Sequence, residues 1–436
     1  MNILIVSHFY EIDGVMGSVR WTSFAHRLAK KHNVFVVTHE ENMSNRFAVE
    51  NRSGITVLKI NNECDYVKRR KNKSVQSRIA KPIVLKKTEV NKESTSLKNI
   101  LRTILYIDSM KRSAERNSKE IVRYLNDNGI KINCIITTSR PFIDAFIGYY
   151  MVKSIGASWI LDQRDLQYND GTSEFTINYY CRIFRMMDKY VKTYTLVSFG
   201  MAESFKRDCC FSDSSSKKVK VLHNGYNKDD YIADSITGLP LAIAYSGDMY
   251  LGRRDADMLF AAMKMVIEKN DDITVKDFCV SYAGKEGDVI RLQAEKYRIG
   301  SVVEDHGFVS HSQAIELQHN ADIELLLTWN TEMDRGILPG KFYEYMMVEK
   351  PIICITCGSV PNGEAEIMIN DMQLGIAVNQ INYEDGINQL AAYLECQLRK
   401  KREDGTVLYT ADKEKVSMFD YDNLIVKLKQ LIEDIT

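Results

Sequence analysis

Apolar residues along the chain gather in short runs, set between longer stretches where they recur every three or four positions. The short runs suit strands buried on both faces, and the spaced stretches suit helices that cover them. Residues 2–7 give a first strand, 19–31 a helix and 34–38 a second strand, which together make a β-loop-α-β unit. Further strands are expected at 54–60, 134–137, 159–162, 194–197 and 218–222, with helices at 105–126 and 142–155. The pattern restarts at Leu241, with strands at 241–245, 277–283, 302–308, 323–328, 351–355 and 375–378, and helices at 257–269 and 314–320. The remainder to Thr436 is helical and charged. Such alternation predicts an α/β protein with two Rossmann-like parallel-sheet domains, at 1–226 and 241–412, a polar linker at 227–240 and a terminal helical segment at 413–436.

The second half is organised around residues 333–355, M-D-R-G-I-L-P-G-K-F-Y-E-Y-M-M-V-E-K-P-I-I-C-I. Pro339 and Gly340 break the chain before a helical pattern, and Lys350-Pro351 ends it. A helix start presents unpaired N–H groups that suit a phosphate. Lys341 in the first turn opposes the helix dipole, which a bound diphosphate would explain. Glu344 lies one turn on and is placed to accept from sugar hydroxyls. A capped surface helix with a chance Lys–Glu pair would look the same.

Composition narrows the classes. Lys+Arg and Asp+Glu both number 58 in 436 residues, so the whole chain carries no charge that points to nucleic acid. No apolar run approaches the ~18 residues that span a membrane, and the start reads as a strand rather than a leader. Nine scattered cysteines, without zinc spacing, read as reduced thiols of a cytoplasmic protein. Residues 67–102 differ from the rest. Twelve Lys and Arg there face only Glu89 and Glu93, with apolar residues between them. The segment suits peripheral contact with an anionic membrane on the inner face of the cell membrane, or a solvated loop.

Taken in order, these features resemble GT-B glycosyltransferases, in particular glycosyltransferase family 4 and its surface-polysaccharide branch. The Gly-Lys-x-x-Glu-Tyr stretch at 340–345 with its Lys-Pro-Ile turn is the strongest likeness. Others are the Gly17-Ser18 loop after the first strand, Asp162-Gln163-Arg164-Asp165, Val197-Ser198-Phe199-Gly200, His223-Asn224-Gly225, Arg253-Arg254 after Gly247, Gly284 after a strand, and the Gly307-Phe308-Val309 turn. Two departures stand out: Gly336 where the family carries a first Glu, and Asp248 at one expected basic position.

The resemblance implies a cleft between the domains and a terminal helix crossing back to the first. It implies transfer from a nucleoside-diphosphate sugar to a saccharide or lipid-linked saccharide acceptor, with retention, no cofactor, no metal and no nucleic acid. Arg254, Lys341 and Asp165 would carry the chemistry. Gly17, Ser18, Gly247, Arg253, Gly284, Phe308, Val309, Gly336, Gly340 and Glu344 would line the donor site. A nucleotide-sugar epimerase and an inactive GT-B partner protein are the rivals; the epimerase would want cleft histidines and carboxylates that are not evident as a set.

Overall fold

The computed structural model describes residues 1–12, 16–40, 43, 46–61, 97–169, 171–228 and 238–436. It divides into two compact units, the first formed by residues 1–223 with 424–436 and the second by residues 224–423.

The first unit holds strands β1 (Asn2–Val6), β2 (Asn33–Glu40), β3 (Phe47–Arg52), β4 (Ile55–Asn61), β5 (Cys134–Ser139), β6 (Ser158–Gln163), β7 (Thr193–Leu196) and β8 (Val219–Val221). They form one sheet in the order β3-β4-β2-β1-β5-β6-β7-β8. All neighbours are parallel except β3, which runs antiparallel to β4 as the sheet edge. Ile3, Leu4, Ile5 and Val6 are wholly buried, as expected of a central strand with helices on both faces. Strand β3 was not expected, because Phe-Ala-Val-Glu-Asn-Arg lacks an apolar run; its polar positions are exposed, as an edge permits. The helix Leu97–Asp127 begins within the basic stretch 67–102, of which residues 67–96 lie outside the described residues. No described helix is long and apolar enough to cross a membrane.

A buried ion pair fixes the first unit's interior. Asp162, at the end of β6, accepts from Arg20 Nε (3.2 Å) and Nη2 (2.9 Å), Trp21 Nε1 (2.9 Å) and Thr195 Oγ1 (2.6 Å). Arg20 also donates to the carbonyls of Leu222 and His223. Leu424, Leu428 and Ile432 of the last helix are buried, and the Ser158 hydroxyl donates to the Ile435 carbonyl at 2.6 Å.

The second unit holds β9 (Leu241–Ser246), β10 (Phe278–Ala283), β11 (Val303–Asp305), β12 (Ile323–Trp329), β13 (Ile352–Cys357) and β14 (Gly375–Asn379). Its all-parallel order is β11-β10-β9-β12-β13-β14. Strand β11 is shorter than the expected 302–308, so Gly307, Phe308 and Val309 stand on a loop. Lys401 reaches from the helix Tyr383–Asp404 to Asp322 and to the Pro240 carbonyl, anchoring that helix under the start of the sheet.

Candidate functional site

The chain leaves β9 for β10 on one side and places β12 on the other, so the carboxyl ends of β9 and β12 flank the switch point of the second sheet. Open α/β sheets bind ligands there. Ser246 and Gly247 follow β9, Trp329 ends β12, and Gly340 starts the helix Gly340–Met347, with Pro339 before it. Gly247 has φ +135, and a Cβ there would lie 2.2 Å from Lys341 Nζ and 3.9 Å from Arg254 Nη1. The two cations therefore stand within about 6 Å of each other.

Lys341 donates to the Ser246 carbonyl, and its ammonium lies 4.3 Å from the centre of the Tyr245 ring. Arg254 is buried, donates to the Asp248 carbonyl at 3.2 Å, and stacks over Tyr250 (4.5 Å) and Trp329 (5.4 Å). Its Nε is buried with no hydrogen-bond partner. Among the described residues neither cation is in a salt bridge with a carboxylate. Burial, and then the neighbouring Arg254, lowers the Lys341 ammonium from 10.5 to about 7. Two cations held together on carbonyls and aromatic faces are short of an anion.

Arg253 is arranged differently. It bonds Asp334 Oδ2 at 2.9 Å and lies 4.5 Å over Trp329, whose indole N–H also reaches Asp334 at 3.2 Å. Gly336 has φ +68, the left-handed region, where a residue with a side chain would be strained. Glu344 Oε2 accepts from Gln318 Nε2 at 3.2 Å, and the same nitrogen is 3.2 Å from Ser246 Oγ. Gly284 packs its backbone against this loop: a Cβ there would be 2.5 Å from the Gly247 carbonyl. Phe308 is 77% exposed with Lys285 Nζ 5.0 Å from its ring centre, and Val309 beside it is half-buried.

Gly17, Ser18 and Asp165 belong to the first unit. Gly17 and Ser18 were expected on a loop but lie in the first turn of the helix Met16–Ala29. Gly17 makes room for a side chain, since a Cβ there would be 1.7 Å from Arg164 Nη1. Ser18 is buried and its hydroxyl accepts from the Ile12 N–H at 2.8 Å, so it holds the preceding loop. Asp165 is exposed, 3.6 Å from Arg164 Nε. Asp162, read from sequence as a motif position, and Arg20 of the helix Met16–Ala29 are each other's buried partners.

The sequence reading missed Tyr245, Tyr250, Gln318, Trp329 and Asp334. Asp334 sits two residues before Gly336 in the stretch already singled out, and Trp329 closes a strand beside it; their shared contacts are not periodic and leave no local signal. Glu324, the second residue of β12, was also missed. It is wholly buried, neither carboxylate oxygen has a partner, and burial raises it well above the usual carboxylate range.

No protein-family model matches the chain, and no curated protein matches it. Solved structures do. Anabaena Alr3699/HepE in complex with UDP and glucose aligns with TM-score 0.60 and 11% identity over 100% of both chains. The E. coli trehalose-6-phosphate protein bound with UDP-2-fluoro glucose aligns with TM-score 0.64 and 11% identity, again over 100% of both. Sucrose-phosphate synthase from Thermosynechococcus elongatus gives 0.59 and 12%, over 99% of this chain and 98% of that one. The chain has the two-sheet α/β fold of the GT-B glycosyltransferases. At these identities the likeness is one of fold.

Proposed function

We propose that the protein is a glycosyltransferase that takes a hexose-type sugar from a nucleoside-diphosphate donor to a saccharide or lipid-linked saccharide, with retention, in the assembly of a surface polysaccharide such as O-antigen or capsule. The observation that carries this is the pair Arg254 and Lys341, within about 6 Å of each other beside the start of a helix and, among the described residues, without a salt bridge to a carboxylate. A diphosphate supplies the missing charge, and its charge rises as the sugar leaves, so both cations and the first-turn N–H groups stabilise the departing group. Glu344 accepts from the ribose. Asp165 is assigned to the reacting side by the resemblance alone. Solved neighbours bound with UDP, glucose or a UDP-sugar analogue support the donor class.

A thermal-shift screen of nucleotide sugars tests this, since a ligand at ~100-fold its dissociation constant adds ~2.7 kcal/mol. Transfer is expected to survive EDTA, as no divalent ion is assigned to the diphosphate. The acceptor would place the enzyme in the cytoplasm at the inner membrane face. Vesicles with anionic lipid should then bind it, and ~0.5 M salt, which shortens electrostatic reach to a few ångströms, should release it. Equal binding to neutral vesicles would remove the membrane part of the proposal.

Gly336 supports a second reading, a GT-B protein that binds a nucleotide sugar without turning it over, because no carboxylate stands at that position. Slow donor hydrolysis without acceptor separates the two: a working enzyme shows it and a binding protein does not.

A further inference from the structure

The first sheet has its own switch point, where β1 lies between β2 and β5, and the carboxyl ends there hold a polar cluster that the nucleotide-sugar reading leaves unused. His8 follows β1, His39 is the penultimate residue of β2, and Asp144 is the second residue of the helix Ile143–Ile155 that follows β5. Asp144 is wholly buried. Its Oδ2 accepts from the His8 main-chain N–H at 2.8 Å and from the Thr138 hydroxyl at 3.3 Å, and its Oδ1 is 2.8 Å from His39 Nε2. The rings of His8 and His39 stack with centroids 4.3 Å apart and planes 29° apart. The His39 side chain is 1% exposed, yet its Nδ1 is buried without a hydrogen-bond partner. One ligand atom from each of the three residues lies within 4.8 Å of the others.

We propose that His8, His39 and Asp144 bind a divalent transition-metal ion of the zinc or cobalt type, apart from the diphosphate site. Two imidazole nitrogens and a carboxylate oxygen are the donors such ions favour, whereas calcium and magnesium want oxygen throughout. On a tetrahedral ion at ~2.1 Å, ligand atoms lie ~3.4 Å apart, so the 2.8 Å between His39 Nε2 and Asp144 Oδ1 is a hydrogen bond rather than a ligand pair. A hydrogen bond alone accounts for that spacing but leaves the His39 Nδ1 orphaned, and an orphaned buried polar atom is costly. The ring has a nitrogen on each side, one toward Asp144 and one without a partner. An ion taken at Nδ1 satisfies the orphan and leaves Nε2 its hydrogen bond to Asp144. His8 is half-buried on a loop, so its ring is the member that turns to close the set. The ion would pin three carboxyl ends of the sheet. It takes no part in the transfer step and does not depend on the nucleotide-sugar reading.

The test uses the full chain, stripped with EDTA and dialysed, then titrated with Co²⁺ and, separately, Zn²⁺. The expected result is one ion per chain, a visible cobalt spectrum of nitrogen and oxygen ligation, and a thermal midpoint that rises with Zn²⁺. Affinity should fall at least ~10-fold in His39→Ala and Asp144→Asn, the loss seen when even an outer partner of a metal site is removed. His8→Ala, the change that asks least of the fold, should lose affinity similarly and show no zinc-dependent midpoint shift. Lys341→Ala should bind the ion as the parent does. Substoichiometric binding by the parent, or parent-like binding by His8→Ala, overturns the proposal.

Discussion

Arg20 in the first unit and Arg254 in the second are both buried arginines near the carboxyl end of a parallel sheet, and they are satisfied in opposite ways. Arg20 faces Asp162 through two nitrogens and takes two further carbonyls. Arg254 has one carbonyl, two aromatic faces and a second cation nearby. A buried cation with its own carboxylate is part of the fold, and removing the carboxylate strands a charge. A buried cation set beside another is held for something from outside. The two sheets share a central strand order, β4-β2-β1-β5-β6-β7 in one and β11-β10-β9-β12-β13-β14 in the other, so the position of a ligand site follows from strand order, and its chemistry follows from which charges the chain leaves uncompensated.

The comparison can be broken by mutation. Asp162→Ala should cost ~3–5 kcal/mol of stability in denaturant unfolding, because Arg20 is left buried without its carboxylate. If that loss is below 1 kcal/mol, roughly the worth of an exposed pair, the first arginine is not held as described. Arg254→Ala or Lys341→Ala should leave stability unchanged or slightly higher while lowering turnover ~100-fold or more, the scale of one lost oxyanion donor. Donor affinity should fall less than turnover, and the double mutant should lose less than the two singles combined, since both act on one group. Near-normal turnover in either single mutant would remove that residue from the site.

Glu344→Ala should weaken donor binding by ~1.5–3 kcal/mol, the range for a hydrogen bond to a charged group, measured by calorimetry.

The smallest effect is in pH. Lys341 gives up its proton at about 7 in the folded, ligand-free protein, and an anion favours the protonated form. Donor affinity should therefore be full below pH 7 and fall as pH rises from 7 to 9, and Lys341→Arg should flatten the profile. The unfolded chain keeps this proton up to the ordinary lysine range, so the ligand-free protein should gain stability over the same rise. A pH-independent affinity in the parent would contradict the placement of Lys341.

Much of this was legible in the chain because strands buried on both faces are written as apolar runs. Ile3 to Val6 and Ile352 to Cys354 show it directly. Strand β3 was not legible, since an edge tolerates polar residues, nor was the helix Glu174–Met187, whose aromatic and β-branched residues are weak helix formers. That helix is held by packing, with Tyr180 and Phe184 against Phe142 at 5.1 and 5.3 Å. Lys341 and Arg254 could be placed because each follows a strand end, and strand ends of a parallel sheet converge. Asp334 on Arg253, and Asp144 with His8 and His39, could not, because those contacts join separate elements and no local period records them.

Glu324 has a consequence for spectroscopy. Its carboxyl group lies near the start of β12, within electrostatic reach of Lys341 and Glu344, with both oxygens unpartnered and its proton affinity raised by burial. A protonated carboxyl group without hydrogen bonds vibrates apart from ionised carboxylates in the infrared, so this one side chain is a label already installed under the site. Its band should shift when a charge arrives above it and vanish in Glu324→Gln, which would let occupancy be followed without a dye or a labelled donor.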